Sequence, residues 1–375
     1  MWAIRISMDS ERLRPLLTAH GPFASVYFED SHDTEDADAQ LELKWRALRE
    51  QLEELGADES VTAVLERAVM DVRPPVGRSG RGLVANADGV LLNEHLIRPT
   101  ATPIVRLSTL PYVIPIIEHG FDDANYLLVA VDHTGADITV HVGGKERTET
   151  VDGGGHPVHK ASGAETAGRG DPQQRTEEAA RKNMRAVATR IEELLGDSGP
   201  EAVFVVGEVR SRSDLLGTLP HQVKALAVEL EVGARHSGQD SEKLREAVEA
   251  ELLKLRLAAI DDAAQRFSAE VGRGSGLAAE GLGPVCSGLR QGAVDTLIIG
   301  DIGEETVVAD EDLTTLAPNA DVLSEQGAAP AQTLRADEAL PIFALSVGAS
   351  LIRTDERIAP ADGVGAVLRY APTLH

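Results

Sequence analysis

Few side chains in this 375-residue sequence have the type and spacing to do chemistry. His156 and His159 stand three apart, but no nearby carboxylate or cysteine completes a ligand set, so the pair makes a poor metal site. The single cysteine, Cys286, excludes an intrachain disulfide and any zinc site built on two or four cysteines. Its place after Val285, ahead of a helix, predicts a buried and inert thiol. No phosphate loop of the form Gly-x-x-x-x-Gly-Lys-Ser/Thr occurs, no Gly-x-Ser-x-Gly elbow and no His-Glu-x-x-His. The glycine-rich stretches Gly77 to Gly82 and Gly272 to Gly276 do not join a strand to a helix as a dinucleotide site requires, and read as loops.

What remains is charge. Between His156 and Arg190 there are seven bases (Lys160, Arg169, Arg175, Arg181, Lys182, Arg185, Arg190) and four acids (Glu165, Asp171, Glu177, Glu178), a local charge of +3. The whole chain carries −25, from 36 Lys and Arg against 61 Asp and Glu, so this island runs against the average. Lys182 and Arg185 lie off the apolar stripe of their helix and can face a partner. The competing reading is local: Glu177 with Arg181 and Glu178 with Lys182 are favourable i,i+4 pairs that would solubilise any helix. As an average, −25 counts against diffuse nucleic-acid binding. Six acids between Glu29 and Asp38, with no Lys or Arg, read as a solvated acidic loop, with a contact for a basic partner as the second reading.

The elements that would position these residues follow from periodicity. At 42% hydrophobic the chain can bury real cores, and with 12 aromatics in 375 residues those cores must be aliphatic. Expected helices cover Ser10 to Thr18, Asp38 to Leu55, Ser60 (as N-cap) to Met70, a stripe from Ala180 through Met184, Val187 and Ile191 to Leu194, and a helix around Leu215 and Leu216 capped by Ser213. Leu244 to Val271 reads as one amphipathic rod of about 40 Å at ~1.5 Å per residue, bridging two units. Pro284 to Gln291 reads as helix. Expected strands are Phe23 to Phe28, a hairpin of Gly82 to Ala85 and Val90 to Asn93 across Asn86-Ala-Asp-Gly89, Leu127 to Val131, Ile138 to Val142, Ala202 to Val206, Leu226 to Val232, Thr296 to Ile299, Ile342 to Leu345 and Ala366 to Arg369. The polar, glycine-rich stretch from Gly143 to Gln174 is too long for a mere connection. The start lacks a basic region before an apolar core, and no run of about 18 apolar residues occurs, so a soluble, cytoplasmic protein without a membrane partner is expected.

Three pieces in order carry a resemblance: Tyr126-Leu-Leu-Val-Ala-Val-Asp-His-Thr-Gly135 with its hairpin strand, long glycine-rich loop and basic helix; Leu289-Arg-Gln-Gly-Ala-Val-Asp-Thr-Leu-Ile-Ile299; and Gly363-Val-Gly-Ala-Val-Leu-Arg-Tyr370. From Tyr126 to Tyr370 the chain resembles the archaeo-eukaryotic class-I peptide-chain release factor and Pelota family, in the bacterial branch that includes the ribosome hibernation factor Balon. The resemblance implies an α/β, three-domain release-factor-like architecture. A mixed α/β domain would occupy 1–122 and a ribonuclease-H-like central domain with the long loop 123–257. A ribosomal-protein-like α/β sandwich would follow at 258–375.

Departures from the family pattern shape the expected function. A release factor of this family hydrolyses peptidyl-tRNA with Gly-Gly-Gln at the tip of the central loop. Here Gly168-Arg169-Gly170 fits the lead-in, but Asp171-Pro172 stands where the second glycine and glutamine belong. Gln173 and Gln174 follow on the far side of a proline, which fixes φ and removes an amide donor. The Asn-Ile-Lys-Ser and Tyr-x-Cys-x-x-x-Phe signatures of stop-codon reading are absent too. The resemblance therefore implies a ribosome-binding factor that enters the A site without releasing peptide, in hibernation or stress protection. It would have no cofactor or metal, and a translational GTPase such as elongation factor Tu would be its partner. Lys160, Arg169, Arg175, Lys182 and Arg185 would contact rRNA phosphates, with His156, His159, Gln173 and Gln174 adding stacking or hydrogen bonds. Two alternatives stand beside it: a peptidyl-tRNA hydrolase or rescue factor using Gln173 or Gln174 in an altered loop, and a ribosome-independent stress scaffold docking through Leu244 to Val271.

Overall fold

The computed structural model describes residues 13–31, 36–71, 79–120, 125–142, 145–152, 172–232, 241–354 and 358–372. They form mixed α/β structure in two compact units: Asp123–Ala259, and Ser7–Asp122 together with Ile260–His375.

The N-terminal part of the composite unit contains α1 (Pro15–Thr18), β1 (Phe23–Glu29), α2 (Ala37–Glu54), α3 (Glu59–Asp71), β2 (Gly80–Asn86), β3 (Gly89–Leu96), β4 (Ile104–Ser108) and α4 (Ile114–His119). Its sheet is antiparallel in the order β3-β2-β1-β4. Strand β1 is apolar almost throughout because both of its faces are covered. Ala24, Val26 and Phe28 meet Trp45, Leu48 and Leu65 of α2 and α3, while Phe23 and Tyr27 belong to a second core on the opposite face.

The expected hairpin forms, with Asn86 Oδ1 accepting the amides of Asp88 and Gly89. The glycine-rich stretch before it is corrected: Gly80 to Gly82 is strand, not loop. A Cβ at Gly80 would stand 2.7 Å from Pro99 Cα, and one at Gly82 2.7 Å from the Tyr27 ring, so these glycines permit close approach. Asp30 corrects the solvated acidic loop in part. It is 1% exposed and pairs with the fully buried Arg81 at 3.3 Å. Arg81 also donates to the carbonyls of Ala68 and Val69 at the end of α3 and to Asn93 Oδ1 at 2.9 Å. Ser60 is not the cap of α3: the helix opens one residue earlier, on the Asp58 carbonyl.

The central unit runs β5 (Tyr126–Val131), β6 (Gly135–Val142), β7 (Lys145–Asp152), α5 (Pro172–Ser198), β8 (Ala202–Gly207), α6 (Val209–Thr218), α7 (His221–Leu226), β9 (Ala227–Glu229) and α8 (Ser241–Arg273), of which residues 241–259 belong here and 260–273 to the composite unit. The sheet order is β7-β6-β5-β8-β9, antiparallel from β7 to β5 and parallel from β5 to β9, the order and directions of a ribonuclease-H-like sheet. Val129, Val131 and Ile138 pack under α5, whereas Phe204 and Val206 face Val248 of α8. Three expectations change here. Lys145 to Asp152, read as loop, is strand β7 along β6. Leu226 to Val232 divides into the end of α7 and the short β9. Ser213 lies inside α6, whose N-cap is Glu208 without a side-chain bond.

The C-terminal part of the composite unit contains β10 (Ala278–Glu280), α9 (Leu282–Arg290), β11 (Val294–Ile299), β12 (Thr306–Ala309), β13 (Leu316–Ala317), α10 (Ala320–Glu325), β14 (Gln332–Arg335), α11 (Ala336–Ser346), β15 (Ser350–Arg353) and β16 (Val364–Leu368). Its sheets are ordered β10-β16-β11-β15 and β13-β12-β14. The turn before β16 needs glycine: Gly363 has φ +68°, and a Cβ there would collide with the Asp301 carbonyl. Ile342 to Leu345, expected as strand, is the end of α11, a helix buried from Ala336 to Leu345. A short apolar run with no polar face carries no period, so helix and strand read alike. Cys286 is 1% exposed, and burial raises its thiol pKa to about 12.

Candidate nucleic-acid interface

Helix α5 is the element that positions the basic island. Met184, Val187, Ala188, Ile191 and Leu194 are buried against the central sheet, which fixes the outward direction of everything between them. Arg181, Lys182 and Arg185 fall on that outer side and are exposed. Asn183 donates to the His133 carbonyl at 3.2 Å and so ties this turn to the β5–β6 connection.

The cations of α5 divide into two kinds. Arg190 donates to both Glu149 oxygens on β7, at 2.5 and 3.0 Å, and to Glu193 at 2.7 Å. The hydrogen bond from Arg190 holds the Glu149 carboxyl below its usual range. This cation is engaged in holding the helix to the edge strand. By contrast, Arg181, Lys182 and Arg185 make no ion pair among the described residues, and the Glu178–Lys182 pair open to this spacing does not form. The Glu177 side chain lies outside the described residues. The first turn of α5 holds no acid and its last turn no base, so neither end carries the charge that would complement the helix dipole. The charges of Arg181, Lys182 and Arg185 are thus not neutralised by a carboxylate among the described residues.

An open groove of about 550 Å3 runs between Glu149–Asp152 and the α5 residues Ala186, Thr189, Arg190 and Glu193. Lys182 lies one turn before Ala186 on the same face. Pro172 opens α5, so Gln173 and Gln174 belong to helical backbone in its first turn, as does Arg175. Their side chains lie outside the described residues, as do His156, His159, Lys160 and Arg169 altogether. Of the nine anticipated contact residues, Lys182 and Arg185 are therefore placed together with their side chains in view. Sequence reasoning missed the Glu149–Arg190 clamp, because Glu149 lies in a stretch read as loop. Among the described residues no group of three His, Cys, Asp or Glu could hold a metal, and no helix is long and apolar enough to cross a membrane.

Residues 125–273 match the family described as bacterial archaeo-eukaryotic release factor family 2. Uncharacterized protein Rv2629 of Mycobacterium tuberculosis (strain ATCC 25618 / H37Rv) is 52% identical over 366 residues, covering 98% of each chain. Archaeal Pelota in a model of ribosome-bound Pelota and ABCE1 superposes with TM-score 0.42 at 13% identity, over 98% of this chain and 95% of that one. Archaeoglobus fulgidus Pelota gives 0.34 at 14% identity, over 97% and 92%. Through its family match at 125–273 and its shared full length with Rv2629, the chain belongs to the bacterial archaeo-eukaryotic release factors, family 2.

Proposed function

We propose that this chain is a cytoplasmic ribosome-binding translation factor that occupies the A site without catalysing peptide release and acts in ribosome hibernation or stress protection. Membership in a release-factor family supplies the class. The observation that carries the reading is the outer face of α5, where Lys182 and Arg185 are exposed without a carboxylate partner among the described residues. Rigid helical backbone holds them, so they can meet phosphates at fixed spacing. A non-catalytic role is supported by Asp171-Pro172 in place of Gly-Gln, and by Gln173 and Gln174 entering a helix rather than a flexible turn. A translational GTPase such as elongation factor Tu would assist delivery.

Competition with A-site tRNA tests the proposal. The purified protein should displace labelled tRNA from the A site of vacant ribosomes while releasing no peptide from charged P-site tRNA. The K182E/R185E double variant should compete at least tenfold less well, since two phosphate contacts are replaced by repulsion. Unchanged tRNA occupancy at saturating protein would refute it, and peptide release abolished by Gln173→Ala or Gln174→Ala would refute its non-catalytic part.

A further inference from the structure

In the composite unit, charges of the N-terminal segment complete charges of the C-terminal segment out of water. Arg106 of β4 places Nη2 2.8 Å from Asp337 Oδ2, and Nη1 3.1 Å from Asp337 Oδ1 and 2.9 Å from Glu338 Oε1. The two carboxylate side chains are only 8% and 4% exposed. The Arg106 guanidinium also lies 3.6 Å over the Tyr112 ring. From the C-terminal side, Arg335 reaches Asp337 at 3.0 and 3.1 Å. No ion pair to Glu338 comes from that side among the described residues. A second crossing pair joins Glu118 of α4 to Arg353 of β15 at 3.4 Å. Around both runs one apolar cluster that includes Ile114 and Ile116 with Leu340 and Phe343.

Adjacent buried carboxylates repel each other and lose hydration, so they need cations close by. Arg335 bonds Asp337 directly and reaches Glu338 only through space. Losing the Arg106 fork alone, with the packing intact, would leave Glu338 buried without a directly bonded cation, which either costs stability or forces the carboxyl neutral. We infer that the segments 13–122 and 260–372 are one obligate mechanical body latched by Arg106, so that the N-terminal sheet cannot leave the C-terminal sheets without opening the first turn of α11. A strain applied to β4 by any ligand therefore reaches α11 directly. The latch is independent of whether the chain binds ribosomes.

Native-state hydrogen exchange of the full-length protein reads the latch by region. Amides of β4 and α11 should exchange at rates within about tenfold of each other in the wild type. Arg106→Lys keeps the charge but loses the planar fork. It should accelerate both elements about tenfold or more while leaving β5 and β8 of the central unit unchanged. Glu338→Gln is read in the same way should the lysine variant fail to accumulate. The control Arg49→Ala, which breaks two exposed pairs within the N-terminal segment, should change neither element. Faster exchange in β4 with α11 still protected, in either latch variant, would show two separate domains that merely touch.

Discussion

Arg190 and Lys182 lie on one helix some two turns apart, and their roles differ because of what stands opposite each. Arg190 meets Glu149 on the edge strand and Glu193 on its own helix, whereas Lys182 meets no carboxylate among the described residues. Glu149→Gln should therefore loosen β7 from α5, seen as faster amide exchange from Lys145 to Asp152. The sign with pH follows from the depressed carboxyl: its contribution is full above the unfolded value near ~4.3 and fades as pH falls through the lower folded value. The variant should lose this acid-limb dependence. Asp337 and Glu338 give a contrast. Burial raises both, but the bonds from Arg106 and Arg335 outweigh it at Asp337 and not at Glu338. At neutral pH, Asp337→Asn should cost about 2–4 kcal/mol in denaturant melts and Glu338→Gln distinctly less. Cys286, with its thiol pKa near 12, should resist thiol reagents at pH 8 until the protein is unfolded. The burial of Cys286 was legible from its neighbours in sequence. The Arg81 and Arg106 networks were not, because their partners lie 51 and 231 residues away and no local spacing announces them.

At the scale of elements, strong periodicity was read correctly and its absence was not. The buried stripe of α5 stands where the sequence places it, although the helix starts at Pro172, inside the stretch read as loop. Helix α11, buried from Ala336 to Leu345 and containing Pro341, has no solvent-facing polar stripe, so its Ile342 to Leu345 run reads from sequence as a strand. Strand β7 was lost for the opposite reason: its residues are mostly exposed, so no buried face marks an alternation. Glycine in β2 marks close packing rather than a turn. Gly82→Ala should destabilise by about 1–3 kcal/mol because its methyl meets the Tyr27 ring. Gly217→Ala, in α6 with nothing within 4 Å, should stabilise by about 0.5–1 kcal/mol. Thermal melts of the two variants should move in opposite directions.

For the whole molecule, a charge of −25 alone would argue against RNA as a partner. The acids crowd Glu29 to Asp38, α2 and α3, and the region after Glu304, while Arg181, Lys182 and Arg185 gather on one rigid helix face. Such a body is oriented by a polyanion at one place and repelled elsewhere, which favours a defined contact over general adhesion. Family and fold class were legible from three short motifs in order; the composite body was not, since it depends on contacts between chain segments separated by the central unit. The most direct measurement is co-sedimentation of the full-length protein with vacant ribosomes through sucrose over a salt series. Binding at low salt should weaken steeply as salt rises, with a shallower slope and lower occupancy for K182E/R185E. Absence of the wild-type protein from the ribosomal fractions at low salt, or binding indifferent to both salt and the double substitution, would contradict a factor that grips rRNA through α5.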